Sequence, residues 1–405
     1  MRNAEFWYEM IPGPSRLIDK IAKTIIDCST AILCIDYDFP WRNEMRDEVE
    51  KRLRKYPDAP SMQYLDISDQ YRDEGIARFV VHQYCSEEDY VFASKESHAI
   101  STLKNGFLKD RVVWFKGIPA GLEKNIISFC RNYKTFSKKE GVFVVELREE
   151  NLGKEKLPGN IQLIRSSDFI TEDDVLIFSS LLYAHRGEQG QYGKYFSNLV
   201  SSICGKDAEL ASEMISTIDF HSIEPIEGLK MVKKSSFCES ERGVSLQSDP
   251  NHPFALLKHE NYTELQSRVW IAQIRVIMAV VEKERQQFIS KYSDDLRFCY
   301  DEILNNQSAW KNINFKIGYD DTEDRNYLEN QFGEYIRDIN DFEVNHLYQL
   351  AKISRKDDPD NHLLYLPYRE YKRLEFLRDI RNALSHITCC SADTIEKLFD
   401  LDHMC

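Results

Sequence analysis

Two hydrophobic periods alternate through the first third of the chain. Over residues 15–27 apolar side chains recur at Leu17, Ile18, Ile21, Ile25 and Ile26, the spacing of one helical face, and the run Ala31-Ile-Leu-Cys-Ile-Asp36 that follows suits a buried strand. A highly charged amphipathic helix is predicted over 41–55. Further strand-like runs lie at 62–67, 112–118, 141–147 and 161–165, with a helical period over 122–134 between two of them. Strands separated by helices predict a mainly parallel five-stranded sheet covered on both faces.

Beyond Thr171 the strand signal fades, and helices are predicted at 171–185, 192–204 and 207–217. Residues 219–260 mix Pro225, Pro250, Pro253, Gly228 and Gly243 with several serines, which predicts an irregular connection and a domain boundary. The last third predicts helices throughout. A long one covers 262–292, with Leu265, Val269, Ile271, Ile274, Ile277, Met278 and Val281 along one stripe. Others follow at 294–305, 323–340 (with Asp321 and Thr322 as N-caps), 342–354, 368–387 and 392–401. The expected fold class is therefore α/β plus all-α, divided into an α/β domain at 1–170, a helical extension and linker at 171–259, and a helical domain at 260–405.

Composition narrows what such a protein can do. Its 405 residues include 53 Lys or Arg against 67 Asp or Glu, a formal charge of -14, and 42% are hydrophobic, enough for two or three cored domains. That acidity argues against coating a nucleic acid electrostatically, which needs many phosphate contacts, but leaves room for a local site. Between Asp320 and Glu343 nine acidic residues face only Arg325 and Arg337. The start of the chain lacks the apolar region of a secretory signal. The longest apolar stretch, 271–281, is interrupted by Gln273 and Arg275 and is too short for a bilayer. A cytoplasmic protein without a membrane segment is expected.

The ten cysteines form no C-x-x-C pair and read as inert thiols of a reducing compartment, although adjacent Cys389 and Cys390 could be redox active. No metal site is expected. His252 and His259 share a segment with Cys238 without ligand spacing, and His98, His185 and His221 stand alone.

An α/β domain invites a search for a phosphate-binding loop. After the first strand, Tyr37-Asp-Phe-Pro-Trp-Arg42 offers no glycine and no Lys-Ser/Thr, so that turn is not a Walker A loop. In Gly187-Glu-Gln-Gly190-Gln-Tyr-Gly193-Lys194 the glycine spacing is wrong, and Tyr195 stands where a magnesium-binding hydroxyl belongs. The order of Ile11-Pro-Gly-Pro-Ser15, a helix, five strands and a helical extension nevertheless resembles the nucleotide-binding domain of AAA-like or STAND ATPases, with the phosphate loop lost, over residues 10–218. The resemblance implies a regulatory domain impaired in hydrolysis, with ATP or ADP binding as an open alternative.

The sharpest motif is Leu374-Glu-Phe-Leu-Arg378-Asp-Ile-Arg381-Asn382-Ala-Leu-Ser385-His386-Ile387. Leu374, Leu377, Ile380, Leu384 and Ile387 follow helical spacing, with Arg381 bordering the stripe, while Arg378, Asn382, Ser385 and His386 project elsewhere. His386 alone among the ten histidines has an arginine five residues before it. Asn directly after the arginine, inside an apolar-periodic helix near the end of a helical region, is similar to the HEPN superfamily, whose ribonucleases carry R-x(4-6)-H. The resemblance covers residues 260–405; a tyrosine two residues after the histidine, found in one toxin branch, is replaced by Thr388.

These residue types suit metal-free RNA cleavage. Attack by the 2′-hydroxyl needs a base, an acid for the departing 5′-oxygen, and positive charge on the phosphorane. An imidazole titrates near neutrality and serves as acid or base, so His386 is the proton carrier. The guanidinium of Arg381 would hold the scissile phosphate, Asn382 would orient His386 or bind phosphate, and Arg378 and Ser385 would contact substrate. One histidine cannot readily serve both ends of the reaction, and the resemblance implies a homodimer whose two motifs share a cleft. It also implies an endoribonuclease of single-stranded RNA in a toxin or antiviral-defence system, needing no cofactor and joined by a protein partner that senses or neutralises. The alternatives are a noncatalytic adaptor or scaffold and a nucleotide-sensing regulator.

Overall fold

In the computed structural model of the chain, which describes residues 2–71, 74–119, 121–134, 140–152, 157, 159–234, 246–320 and 325–401, the five apolar runs become five strands. They are β1 (Thr30–Cys34), β2 (Ser61–Asp66), β3 (Arg111–Lys116), β4 (Val142–Leu147) and β5 (Ile161–Arg165), all parallel in the order β2-β3-β4-β1-β5. Every residue of β1 and β4 is buried, which explains why they read as continuous apolar runs rather than alternations. At the edge, β2 is mostly open and its sequence is correspondingly more polar.

The chain divides into two compact units. The first comprises Met1–Leu182, Cys204–Thr217 and Val232–His259. Within it, one aromatic cluster joins the sheet to helix Glu123–Tyr133, with Phe143 stacked on Phe115 (centroids 5.7 Å) and met edge-on by Phe129 (5.0 Å) and Tyr133 (4.9 Å). Helix Pro12–Ile26 also packs within this unit through Leu17, Ile18, Ile21 and Ile25 of the predicted stripe, with Ile26 half-buried. Its first turn holds Gly13, whose N–H donates to Asp174 Oδ1 at 2.9 Å. A Cβ there would stand 2.3 Å from the Phe169 carbonyl oxygen, so no other residue fits this approach. The one ionic interruption of β4, Glu146, receives two hydrogen bonds from Arg46 (2.6 and 2.7 Å) and one from Trp114 Nε1 (2.5 Å).

The second unit comprises Tyr183–Ile203, Ile218–Met231 and Glu260–Cys405. Its spine is helix Tyr262–Lys291, antiparallel to helix Tyr368–Ser385. Ion pairs Glu284–Arg373 and Lys291–Glu370 tie one end. At the other, Trp270 Nε1 donates to the Leu384 carbonyl (2.7 Å), and the Gln273 amide bridges both backbone groups of Cys390. Among the described residues no helix is long and apolar enough to cross a membrane.

Two expectations are corrected. The helix expected at 323–340 is not formed by its described residues, 325–340: strand Arg325–Glu329 pairs antiparallel with Lys316–Asp320 and with Tyr335–Ile336. The Tyr327 ring lies over Gly318 across the ladder, and the Asn330 side chain accepts the N–H groups of Phe332 and Glu334 (2.9 and 3.0 Å), closing a turn through Gly333 at φ 81°. The last third is therefore not wholly helical, and Asp321 and Thr322 lie outside the described residues. The connection at 219–260 also contains helices Pro225–Lys233 and Pro253–Lys258, each opened by a proline whose fixed φ suits a first helical turn; Cys238 is outside the described residues.

Candidate functional site

Helix Tyr368–Ser385 carries the R-x4-H motif. Pro367 precedes it, and Leu374, Leu377, Ile380 and Leu384 form its buried stripe as the periodicity predicts. Ile387 departs from that stripe. The helix stops at Ser385, with His386 as its C-cap, and Ile387 turns to φ 58° with 68% of its surface exposed. The Ile387 N–H donates to the Leu384 carbonyl (3.2 Å) and the Thr388 N–H to the Ala383 carbonyl (2.9 Å), the two bonds of a Schellman stop. That place usually takes glycine, and a β-branched residue there is strained by about 1–2 kcal/mol. The strain sits directly beside His386, whose position the cap defines.

Asn382, Ser385 and His386 share the last turn, with Ser385 and His386 exposed and Asn382 half-buried. The Arg381 guanidinium is engaged: Nη2 donates to Glu343 Oε2 at 2.5 Å, with both side chains partly open to water. Glu343 is the N-cap of helix Val344–Leu350, and its own N–H donates to Nδ1 of buried His346 at 3.2 Å. Burial lowers the His346 pKa, so the imidazole stays neutral and accepts that bond. Arg378 lies over the Tyr348 ring at 3.7 Å and donates to Asp379 Oδ1.

Of the predicted residues, Arg381, Asn382, Ser385 and His386 occupy the final turn and its cap, and Arg378 sits one turn earlier against the neighbouring helix. Glu343 was not anticipated. It belongs to the acidic segment 320–343, and only the helix cap brings its carboxylate onto Arg381.

Elsewhere the candidates resolve into structural partners. The turn after β1 ends at Trp41, whose N–H donates to Glu209 Oε2 at 2.9 Å, so a carboxylate engages an amide of the helix start that a phosphate loop would offer its ligand. A cavity of about 240 Å³ opens at the carboxyl ends of β1, β3 and β4, bordered by Arg42, Gly117, Arg148 and Asn151. In the 187–194 segment, Glu188 meets His221 Nε2 at 3.2 Å. His252 accepts the Phe254 N–H through Nδ1, which leaves Nε2 to donate to Asp207 at 3.3 Å. Glu5, Glu9 and Glu48 converge on Lys51 Nζ, which supplies the counter-charge. Burial pushes the Cys390 thiol up to about 11 and raises that of Cys389, which keeps both poor thiolates. Among the described cysteines, Cys85, Cys130, Cys299, Cys389 and Cys390 carry free thiols. No family model and no curated protein sequence matches the chain.

Proposed function

We propose that the chain is a metal-independent endoribonuclease of the HEPN type, acting as a homodimer through residues 260–405 and regulated by an AAA-like N-terminal domain that lacks a working phosphate loop. The observation that carries the reading is the last turn of helix Tyr368–Ser385, where Asn382 and exposed His386 stand beside Arg381 on a capped helix end. His386 moves the protons, Arg381 holds the phosphate and balances the phosphorane charge, and Asn382 positions one of them. Single-stranded RNA is the substrate, and the products carry 2′,3′-cyclic phosphate and 5′-hydroxyl ends. The work is cytoplasmic, in a toxin or antiviral-defence setting with a sensing or neutralising protein partner.

The Glu343 pair adds a gate to this reading. A phosphate reaching Arg381 must displace the carboxylate, so the resting chain is held off until a second protomer or a partner shifts it. The same pair also favours the adaptor alternative, in which Arg381 is a structural tether. The cavity at the sheet's carboxyl ends supports a nucleotide-sensing role, while Glu209 on the Trp41 amide argues against phosphate at that helix start.

The test is incubation of the full chain with end-labelled single-stranded RNA in EDTA. Wild type yields cyclic-phosphate products, and His386→Ala or Arg381→Ala slows cleavage by about 10²-fold or more. Intact RNA in every case leaves the adaptor, and a melting temperature raised by ADP or ATP would favour the sensor.

A further inference from the structure

We propose that the aromatic groove at the start of helix Tyr368–Ser385 binds unpaired bases of single-stranded RNA and leads the strand to the Arg381–His386 turn. This rests on the ribonuclease reading and names where its substrate lies. The groove has a volume of about 620 Å³ and is bordered by Asn312, Lys352, His362, Tyr365, Tyr368 and Tyr371. Tyr365 and Tyr368 are 78% and 77% exposed. Aromatic rings left this open forgo burial, and exposed rings with lysines beside them are the elements of a base-stacking platform.

The cations are in place. Lys372 Nζ lies 5.8 Å from the Tyr368 centroid, and Lys352 Nζ lies 4.3 Å from that of Tyr348. Lys372 also pairs with Glu375 (2.7 Å), which accepts from the Tyr348 hydroxyl (2.9 Å). From the groove the contacts run on along the helix. The Tyr371 hydroxyl donates to that of Tyr348 at 3.1 Å, Arg378 covers the Tyr348 ring, and Asn382 stands one turn further. At 1.5 Å per residue, Tyr371 and Asn382 are about 16 Å apart along the axis, the reach of a few nucleotides.

The chemistry selects single strands. Bases in a duplex are already stacked on one another, and A-form RNA is recognised through its shape and through 2′-hydroxyl and phosphate contacts rather than by separate rings. A short track with few cations also agrees with a chain whose net charge of -14 excludes a long basic surface.

The experiment measures anisotropy of a fluorescein-labelled single-stranded oligoribonucleotide of about 12 nucleotides, with the full chain carrying His386→Ala so that nothing is cut. Tyr365→Ala with Tyr368→Ala is expected to weaken binding about tenfold or more, while the paired Phe substitutions stay within about threefold. The same oligomer in duplex form binds more weakly, and equal binding overturns the selection of single strands. Both rings are at the surface, so the variants should melt within a few degrees of the parent. Equal affinity of the Ala pair and its parent overturns the groove, as does the absence of any RNA binding. A second arm with His386 intact separates the two claims. Cleavage with a KM indifferent to the tyrosines removes the groove and leaves the ribonuclease; binding through the tyrosines without cleavage by wild type keeps the groove and removes the ribonuclease.

Discussion

Two Arg–Glu pairs, Arg46–Glu146 in the first unit and Arg381–Glu343 in the second, differ sharply in their surroundings. Arg46 and Glu146 meet in two hydrogen bonds with side chains only 11% and 7% exposed, and Trp114 completes the carboxylate's partners. Arg381 and Glu343 meet in a single hydrogen bond at 32% and 42% exposure. The first pair has given up its water, so each charge depends on the other. The second keeps enough solvent to exchange partners. A sealed pair belongs to a scaffold, whereas a wet pair on a helix end can be displaced by another anion.

The largest effect should come from breaking the sealed pair. Glu146→Ala leaves a buried guanidinium uncompensated and should lower stability by about 3–5 kcal/mol in urea unfolding, whereas Arg46→Met with Glu146→Leu should lose far less. A single-variant loss below about 1 kcal/mol would show that water reaches the pair and dissolve the contrast.

The next effect is in pH, and Asp38 in the first unit and His346 in the second respond oppositely. Burial, with Asp207 and Asp36 nearby, pushes the Asp38 carboxyl up to about 6. Its folded pKa is raised, so its stabilising contribution is complete below the ordinary 3.8 and is lost as pH rises through about 6. His346 is lowered from 6.5 by burial, so its contribution is present above 6.5 and is lost as pH falls through the folded value. Asp38→Asn should therefore stabilise the first unit at pH 7 by about 3 kcal/mol and lose that advantage near pH 4. Melting curves of Asp38→Asn and His346→Gln across pH 4–8 should change slope in opposite directions; parallel curves would remove this distinction between the two groups.

The contrast between units also explains what the sequence could reveal. The parallel sheet was legible because strands covered on both faces must be apolar at every position, as Ala31-Ile-Leu-Cys34 and Val142-Phe-Val-Val145 are. Strand Arg325–Glu329 was not, because only Leu328 is fully buried while Arg325 and Asn326 are exposed and Tyr327 and Glu329 half-open. Its signal lay in the Asn330-Gln-Phe-Gly333 turn and in Gly318 facing Tyr327, both pairings rather than periods. Arg381, Asn382 and His386 could be found from spacing within one helix. Glu343 could not, since a helix cap brings it to Arg381 from 38 residues away. Ile387 continued the apolar period, and nothing in that period marks the Schellman stop one residue before it.

That stop supports a smaller prediction. Ile387→Gly relieves the left-handed backbone and should raise stability by about 1 kcal/mol, seen as a higher melting temperature. A loss of stability instead would mean that the exposed Ile387 side chain makes contacts worth more than the strain.

The smallest change in stability belongs to the wet pair, and it separates scaffold from site. Glu343→Gln keeps a hydrogen-bond acceptor at the helix cap and removes only the charge, so it should cost no more than about 1 kcal/mol. If Arg381 is held in reserve for phosphate, freeing it should strengthen binding of a short single-stranded RNA to the His386→Ala chain severalfold, with a steeper salt dependence because one more cation is available to the strand. Arg381→Gln should abolish that gain when combined with Glu343→Gln. If Arg381 is a tether, Glu343→Gln leaves RNA binding unchanged and matches Arg381→Gln in its small loss of stability, and the exposed pair joins the buried one as architecture.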